Sequence, residues 1–298
     1  MKILVIRHGA LGDIVSSMPA FAAIRAQHRA AAITLLTTAP FAPFLAASPW
    51  FDRLMIDEKP ALWDIARLIR LRRCLTGFDR VYDLQTSARS TRYFRLASTP
   101  NWSGIARGAR FFHANPERDR MHTRERIEEQ LAIAGIAHLP APDLSWLRAT
   151  PLPCALPSSF AALIPGAAPH RPEKRWPTAR FGTLAAQLRM PTVIFGTTAE
   201  RDLAAEIRRI APAAIDLTGR TSIAELASCL AHATIAIGND TGPMHLAAAL
   251  DVPCVVLFSG ASDPALTAPR MPDGNWPTIV RARDLADLAV ADVVAAMQ

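Results

Sequence analysis

Residues 233–250 read ATIAIGNDTGPMHLAAAL, an apolar run followed by a polar turn and a stretch of small residues. The apolar run 234–237 has the length of a buried strand. Pro243 fits the first turn of a helix, where its missing N–H costs no hydrogen bond. The stretch therefore predicts a strand, a four-residue turn and a helix in succession, which is the unit of an α/β fold.

Apolar runs and amphipathic stretches alternate in the same way on both sides of this unit. Strands are predicted at 2–6, 33–37, 53–56, 80–84, 160–164, 192–195, 234–237, 254–258 and 278–282. Helices are predicted at 19–27, 61–75, 88–97, 178–188, 199–210, 222–230, 243–250 and 285–297. This alternation indicates βαβ units and parallel sheets.

The pattern is interrupted by a proline-rich stretch in the middle of the chain. Five prolines fall between 140 and 157, and proline makes a poor core element and a good linker. The chain has 298 residues, enough for two domains with a core each. We therefore predict domains at 1–150 and 151–298, with the last helix as a candidate to pack back on the first domain. A ligand is expected at the carboxyl ends of the strands, between the domains.

The net positive charge of the chain lies in its first half. The net charge is +7, and residues 1–150 carry 21 Lys and Arg against 13 Asp and Glu. Two sets of arginines recur three residues apart on predicted helices and would each follow one face: Arg67, Arg70, Arg73, Arg89, Arg92 and Arg95. Such a surface is either ordinary solvated helix or attracts an anionic lipid, a phosphorylated glycan or a nucleic acid. The sequence carries no nucleic-acid-binding signature.

Several classes of protein are disfavoured by composition. Half of the residues are hydrophobic and a fifth are charged, which is typical of a globular chain. The apolar runs are shorter than the roughly 18 residues of a membrane span, and 3–6 is too short for a signal peptide. The four cysteines are far apart without a CxxC pair, which argues against a disulfide framework or a zinc site. We expect a cytoplasmic protein.

The first motif that can carry chemistry is KILVIRHGALGDI at 2–14. Gly9 and Gly12 permit a tight turn and a close backbone approach between a strand and a helix. Asp13 then stands at the start of the helix. It is either an N-cap that satisfies backbone N–H groups or a general base at the carboxyl end of the strand.

Two further motifs follow strands in the second half. The loop 166–177 begins at Gly166 and contains three cations, among them Lys174, which suits a phosphate or forms a solvated basic loop. Thr241 and Gly242 begin the predicted helix of residues 233–250, where free N–H groups and the helix dipole favour an anion. His245 lies one turn further, where packing or capping is the alternative to a ligand contact. Glu200 opens another helix and either binds a ribose hydroxyl or complements the helix dipole.

Taken together, the three motifs resemble glycosyltransferase family 9, the ADP-heptose:lipopolysaccharide heptosyltransferases. The resemblance rests on Gly-Ala-Leu-Gly-Asp near the start, Pro-Gly…Lys-Arg-Trp-Pro after the middle and Asn-Asp-Thr-Gly-Pro-Met-His near the end. It implies an α/β fold of GT-B architecture, with two Rossmann-like domains facing a cleft. The first domain would bind the acceptor and the second the nucleotide sugar, and transfer would invert the anomeric centre without a metal.

Position by position, the resemblance implies a set of site residues. Asp13 corresponds to the catalytic base and Lys174 to the lysine that contacts the donor diphosphate. The turn that binds the phosphates corresponds to Asp240, Thr241, Gly242, Pro243 and His245. Glu200 corresponds to an acidic residue near the ribose. Where the family often has small hydroxyl residues, this chain has Gly9 and Ala10.

The remaining candidates are backbone and surface positions. Gly9, Gly12 and Gly166 are expected to shape their loops or contact the donor through the backbone. The basic rows supply four candidate contacts to an anionic acceptor: Arg67, Arg70, Arg89 and Arg92.

We thus expect an inverting, metal-independent glycosyltransferase that moves heptose from ADP-heptose onto a lipopolysaccharide-type or other anionic glycan. The nucleotide sugar is a co-substrate, and no cofactor, metal or nucleic-acid partner is expected. The basic half suggests peripheral contact with the anionic inner membrane. The alternatives are a GT-B-like nucleotide-sugar epimerase and a non-catalytic basic protein that binds nucleotide or nucleic acid.

Overall fold

Each half of the chain folds as strands and helices around its own parallel sheet. The computed structural model describes residues 1–61, 63–97 and 99–297. Contacts divide the chain into two domains, Met1–Asp143 and Leu144–Gln298. The division lies ahead of the predicted boundary at 150, because residues 144–150 belong to the second domain. There Leu147 is buried, and the Arg148 guanidinium donates to the Leu250 carbonyl at 2.5 Å.

In the first domain, the strands are β1 (Lys2–Ile6), β2 (Ala32–Thr37), β3 (Arg53–Ile56), β4 (Arg80–Asp83), β5 (Trp102–Gly104) and β6 (Phe111–Phe112). The helices are α1 (Leu11–Gln27), α2 (Ala42–Ala46), α3 (Ile65–Leu75), α4 (Ala88–Ala97) and α5 (Thr123–Ile133). The described strands are all parallel, in the order β3-β2-β1-β4-β5-β6.

In the second domain, the strands are β7 (Ala161–Ile164), β8 (Thr192–Ile194), β9 (Ile215–Asp216), β10 (Ile235–Asn239), β11 (Cys254–Phe258) and β12 (Thr278–Arg281). The helices are α6 (Ser145–Arg148), α7 (Thr178–Gln187), α8 (Arg201–Ile210), α9 (Ile223–Leu230), α10 (Gly242–Ala249), α11 (Pro264–Thr267) and α12 (Val290–Ala295). The described strands are again parallel, in the order β12-β11-β10-β7-β8-β9.

In both sheets the order in which the chain adds strands reverses at an inner pair of strands. The chain runs outward from β1 to β3 and returns to place β4 on the other side of β1. In the second sheet, β10 returns to the other side of β7 in the same way. Ligands of open α/β sheets bind beyond the carboxyl ends of strands at such a switch point. The loops that follow β1, β4, β7 and β10 are therefore the loops where a ligand is expected.

The sheets are held by apolar side chains on both faces. In the first domain, the core includes Leu4, Ile6, Val81 and Trp102. In the second, Leu163 and Ile237 on neighbouring strands lie in one cluster with Trp176. These strands are near-continuously buried, as expected for parallel sheets covered by helices on both faces.

The structure corrects several predicted helix bounds. Helix α1 begins at Leu11 and not at residue 19, because Pro19 lies inside the helix on its buried side. Helix α3 begins at Ile65, after Asp64 accepts a hydrogen bond from the Arg67 N–H as its N-cap; Leu62, which the prediction included, lies outside the described residues. The predicted helix 285–297 is a 3₁₀ turn at Leu285–Asp287 followed by α12, and Val293 of α12 is buried in the core of the second domain.

Within the described part of the chain, the helices are too short or too polar to cross a membrane.

Candidate functional site

Asp13 lies in the first turn of α1, immediately beyond the carboxyl end of β1. Its Oδ2 accepts a hydrogen bond from the Ala10 N–H at 3.0 Å, and its Oδ1 lies 3.1 Å from the Arg7 guanidinium. The side chain still exposes 46% of its surface. Asp13 thus stabilises the helix start, although at the third helical position and not as N-cap, and it also presents a carboxylate to solvent.

The turn before Asp13 requires glycine at one position. Gly9 has φ +125, a conformation that L side chains rarely adopt, and a Cβ there would overlap the ring of Phe41. Gly12 is the second residue of α1. The predicted tight turn is therefore present, and the conformation of Gly9 allows α1 to begin shortly after β1 ends.

Arg7 is a buried side chain that the sequence reasoning missed. Its Nε and Nη2 donate to the Asp13 carbonyl at 3.2 and 2.9 Å, and its Nη1 donates to the Leu84 carbonyl at 2.5 Å. Burial lowers the pKa of Arg7, and the negative charges of Asp13 and Asp83 oppose that shift. Arg7 therefore fixes both the backbone and the carboxylate of Asp13. The sequence feature that could have identified Arg7 is its position, because it is a cation between an apolar strand and a glycine-containing turn.

Two more carboxylates lie at the carboxyl ends of strands of the first sheet, one at β4 and one at β3. Asp83 is the last residue of β4, is fully buried, and accepts from the N–H groups of Gln85 and Thr86 at 3.1 and 3.0 Å. Burial raises the pKa of Asp83 to about 6, against those hydrogen bonds. The negative charge of Asp83 also favours the charged form of Arg7, so the charges of Asp13 and Asp83 both act on this buried guanidinium.

Asp57 follows β3 and is buried in a separate pair of contacts. It accepts from the Tyr93 hydroxyl at 2.7 Å and lies 2.9 Å from His8 Nε2. Burial would raise the pKa of Asp57, but the bonds from His8 and Tyr93 outweigh it and keep that pKa below its ordinary value. These contacts tie the ends of β1 and β3 to α4.

The predicted acceptor arginines lie on α3 and α4, beside this edge. Arg67 pairs with Asp64 at 3.2 Å and with Glu58 at 3.8 Å, and Arg89 donates to the Pro60 carbonyl at 3.2 Å. Arg70 lines a small cavity of about 60 Å³ together with Arg67. Arg92 is exposed. The structure therefore brings Arg67, Arg70 and Arg89 to the loop after β3.

In the second domain, β10 ends in the predicted turn and α10 begins at Gly242. Thr241 is the N-cap, but its hydroxyl makes no capping hydrogen bond. Thr241, Gly242 and Pro243 are each half-buried, as is His245 one turn further along. The hydroxyl and the first N–H groups of α10 thus form a polar start at the positive end of the helix dipole.

The loop after β7 is tied to this turn by Asn239. The Asn239 side chain accepts from the Trp176 N–H at 3.0 Å and donates to the Pro165 carbonyl at 2.7 Å. Trp176 is buried and stacks edge-on against Phe181 with ring centroids 4.9 Å apart. Asn239 therefore holds the cationic loop beside the start of α10.

Lys174 and Asp240 meet where these two loops come together. Lys174 Nζ lies 2.5 Å from Asp240 Oδ2, and the Ser262 hydroxyl donates to the same oxygen at 2.9 Å. Both charged side chains are largely buried. An ammonium has three donors, and the ion pair with Asp240 uses one of those of Lys174. Ser262, which was not predicted, follows β11 and adds a third loop to the cluster.

Glu200 is buried and serves in the local structure. Its Oε2 accepts from the N–H and the hydroxyl of Thr197 at 2.7 and 2.6 Å, which closes a capping box. A Cβ on Gly166 would lie 2.9 Å from Glu200 Cγ, so Gly166 makes room for this side chain. The sequence left two roles open for Glu200, a contact with a ribose and stabilisation of the helix start. The contacts seen here are those of a residue that stabilises the helix start.

Among the described residues, no group of three or more His, Cys, Asp or Glu side chains is arranged to hold a metal ion. The cysteines are free thiols, as their spacing predicted; Cys229 and Cys254 are buried.

The chain was compared with known proteins. Residues 68–282 match the model of glycosyltransferase family 9 (heptosyltransferase). The chain is 27% identical over 307 residues to lipopolysaccharide heptosyltransferase 2 of Salmonella typhimurium, which covers 90% of this chain and 85% of that protein.

Two solved structures from E. coli share the fold. One is ADP-heptose LPS heptosyltransferase II, with a TM-score of 0.77, 24% identity and coverage of 100% of this chain and 97% of that one. The other is heptosyltransferase WaaC with ADP, with a TM-score of 0.78, 20% identity and coverage of 99% and 98%. They confirm the predicted α/β fold, two Rossmann-like domains of the GT-B class. Because the family match spans more than half of its length, the chain belongs to glycosyltransferase family 9 (heptosyltransferase) and is a glycosyltransferase.

Proposed function

We propose that this protein transfers heptose from ADP-heptose to a lipopolysaccharide-type or other anionic glycan acceptor, with inversion and without a metal. The observation that carries the proposal is the half-exposed Asp13 carboxylate, held at the end of β1 by Arg7. Solved structures of E. coli heptosyltransferase WaaC with ADP and with ADP-2-deoxy-2-fluoro heptose support the choice of donor.

In the proposed reaction, Asp13 accepts the proton of the acceptor hydroxyl as that oxygen attacks the anomeric carbon. The bond between the anomeric carbon and the diphosphate oxygen breaks on the opposite side, and ADP leaves with the electron pair. Asp13 is suited to this role because Arg7 fixes its orientation while its side chain remains partly open to solvent.

We assign the leaving diphosphate to the start of α10. The Thr241 hydroxyl, the Gly242 N–H and the helix dipole favour an anion there, and Lys174 adds a positive charge. Asp240 orients Lys174 through their ion pair, which gives the acidic residue a role that does not require contact with the phosphates. Glu200 and His245 are the remaining candidate donor contacts, to the ribose and the phosphates, and Gly9, Gly12 and Gly166 act through the backbone.

The acceptor is assigned to the first domain. Arg67, Arg70, Arg89 and Arg92 would supply positive charge to a phosphorylated or otherwise anionic glycan, with no nucleic acid involved. We further propose that the protein works at the cytoplasmic surface of the inner membrane, in peripheral contact with anionic lipid.

The direct test incubates the purified protein with ADP-heptose and a heptose-deficient lipopolysaccharide core, with mass spectrometry of the acceptor. The expected product is the acceptor with one added heptose in the inverted configuration, in the presence of a chelator as well as without one. GDP-mannose and UDP-glucose serve as control donors. Conversion of ADP-heptose to an epimer without acceptor, or no transfer from any donor, would contradict the proposal.

A further inference from the structure

One short segment of the first domain concentrates the exposed apolar side chains of the protein. Eight large hydrophobic side chains are exposed among the described residues, and four of them lie between positions 56 and 69. Trp63 exposes 86% of its surface, Ile65 69% and Ile69 49%; the fourth is Ile56. Single exposed apolar residues are ordinary, but a cluster rimmed by polar groups marks an interaction surface.

The geometry of α3 places two of these side chains, Ile65 and Ile69, on one outward face together with arginines, and Trp63 lies just ahead of the helix. Leu71 and Leu75 are buried in the core of the first domain and define the inner face of the helix. At 100° per residue, Ile65 and Ile69 lie one turn apart on the opposite side, and Arg73 continues their row. Arg70 lies beside them on the same side. We call Trp63, Ile65, Ile69, Arg70 and Arg73 the α3 patch.

The positive charge of the α3 patch is not neutralised locally. Arg70, Arg72 and Arg73 form no ion pair with other residues that the structure describes, whereas Arg67 pairs with Asp64 and Glu58. Asp64 is the only acid in 63–75. Helix α4 packs beside α3 and adds exposed Arg92 and Arg95. The surface around the apolar side chains is therefore strongly cationic.

We propose that the α3 patch docks the protein on a bilayer that contains anionic phospholipid. An exposed Trp suits the headgroup region, aliphatic side chains beside it suit the acyl boundary, and unpaired arginines suit lipid phosphates. Charge complementarity selects this occupant over a neutral surface. A glycan would use the arginines and Trp63 but would leave Ile65 and Ile69 exposed, so it accounts for less of the patch.

This inference deepens the proposed function, because it gives that function the membrane on which a glycolipid acceptor would lie. It concerns lipid binding alone and can be measured without any sugar donor. A failure of lipid binding is therefore distinguishable from a failure of heptose transfer.

The experiment measures sedimentation of the full chain with vesicles of phosphatidylcholine, with and without about a third of phosphatidylglycerol. Binding is expected only with the anionic lipid and should fall as salt rises. Arg70→Gln with Arg73→Gln should weaken it about 25-fold, since each arginine near a charged surface contributes about fivefold. The matched control is Arg208→Gln with Arg209→Gln, which removes two exposed charges from α8 in the second domain and should not weaken binding.

The apolar part of the α3 patch is tested separately. Trp63→Ser with Ile65→Ser and Ile69→Ser should lower vesicle binding at least tenfold while transfer to a delipidated acceptor is unchanged, since these side chains are exposed and outside the proposed site. Ile133→Ser, at another exposed isoleucine, is the control. Brominated lipid should quench tryptophan fluorescence of the wild type, and Trp63→Phe should remove that quenching.

Four results would overturn the proposal. The variants could bind vesicles like the wild type, or the controls could lose binding equally. The triple variant could instead raise KM for the delipidated acceptor, which would make the patch a glycan subsite. Gel filtration could also show that the wild type is a dimer that the triple variant dissolves, which would make the patch a contact between two copies.

Discussion

At the scale of single residues, the geometry of Asp13 depends on Arg7. The guanidinium is buried and contacts the Asp13 carbonyl, the Asp13 carboxylate and the Leu84 carbonyl, which lie beyond the ends of the neighbouring strands β1 and β4. A planar group with five donors can make these contacts together, and an ammonium cannot. Arg7 is thus a positioning residue for the proposed base.

Arg7→Lys is expected to lower kcat about 10- to 100-fold with little change in the donor KM, because charge-assisted hydrogen bonds of about 1.5–3 kcal/mol would no longer orient Asp13. Steady-state kinetics across pH check this. Arg25→Lys is the matched control, since Arg25 similarly binds the Trp50 and Ala31 carbonyls and Asp52 at the far end of α1. An equal loss of kcat in both variants would assign Arg7 a structural role only.

Asp83 makes stability depend on pH. Its pKa in the folded protein is about 6, above the roughly 3.9 of an unfolded Asp, so the folded state holds the proton more tightly. The contribution of Asp83 is therefore fully present below about pH 4 and is lost as the pH rises through 6, a change of about 3 kcal/mol. Asp83→Asn should remove this part of the pH dependence in urea unfolding measured from pH 4 to 8. Parallel pH profiles for the variant and the wild type would refute the assignment.

The residues that sequence reasoning missed share a physical reason. Arg7 and Ser262 acquire partners from loops distant in the chain, as the contacts of Arg7 with Leu84 and of Ser262 with Asp240 illustrate. Asp83 accepts hydrogen bonds from nearby N–H groups, but its burial depends on tertiary packing. Asp13, Thr241 and Gly242 could be predicted because their setting, a strand end followed by a helix start, is local. For Glu200 the sequence left two roles open, and the capping box with Thr197 that the structure shows is equally local; the contact with the ribose stays a prediction.

At the scale of elements, the start of α10 combines a helix terminus with an uncommitted hydroxyl. Most threonine N-caps use the hydroxyl for the helix, but that of Thr241 makes no capping bond. The helix is stabilised by its buried face, which includes Met244, Leu246 and Ala247. Its first turn can therefore serve a ligand without loss of the helix.

Thr241→Val should weaken ADP binding about 10-fold, the effect of one lost hydrogen bond to a charged group, and leave the melting temperature unchanged. Isothermal titration calorimetry with ADP and a thermal melt measure the two quantities. Thr183→Val on α7, where the hydroxyl binds the Ala179 carbonyl, is the control and should leave ADP binding intact. Wild-type affinity in Thr241→Val would exclude the hydroxyl from the donor site.

Strands were predictable from the sequence where a continuous apolar run marks their position. Strands β1, β3 and β11 have the predicted bounds, because each contains a continuous apolar run of three to five residues. Strands β6 and β9 are two residues long, which leaves no pattern to detect. Helix α5 was missed because charged residues dominate its sequence, TRERIEEQLAI, and only a few side chains face the core.

At the scale of the whole molecule, the two domains repeat one plan with different chemistry. In each, the strand order reverses beside the first strand, and polar side chains gather at the strand ends there. The first domain gathers Arg7, Asp13 and Asp83, and the second gathers Lys174 and Asp240 with the start of α10. In our proposal, the first set activates an acceptor hydroxyl and the second stabilises the leaving diphosphate.

The duplication of the plan was predictable from the alternating pattern, but the domain boundary was not. Prolines mark the linker region, but residues 144–150 join the second domain through contacts that the sequence does not indicate. One of them is the hydrogen bond from the Ser228 hydroxyl to the Thr150 carbonyl at 2.6 Å. Boundaries depend on which core a short segment reaches, and that is settled by tertiary packing.

The central claim, that Asp13 is the base, is tested most directly by comparing turnover and donor binding in Asp13→Asn. The account predicts that kcat for heptose transfer falls about 10²- to 10⁴-fold, while calorimetry with a non-hydrolysable ADP-heptose analogue shows an unchanged Kd. Turnover within a few fold of the wild type, with the protein folded and the donor bound, would contradict it.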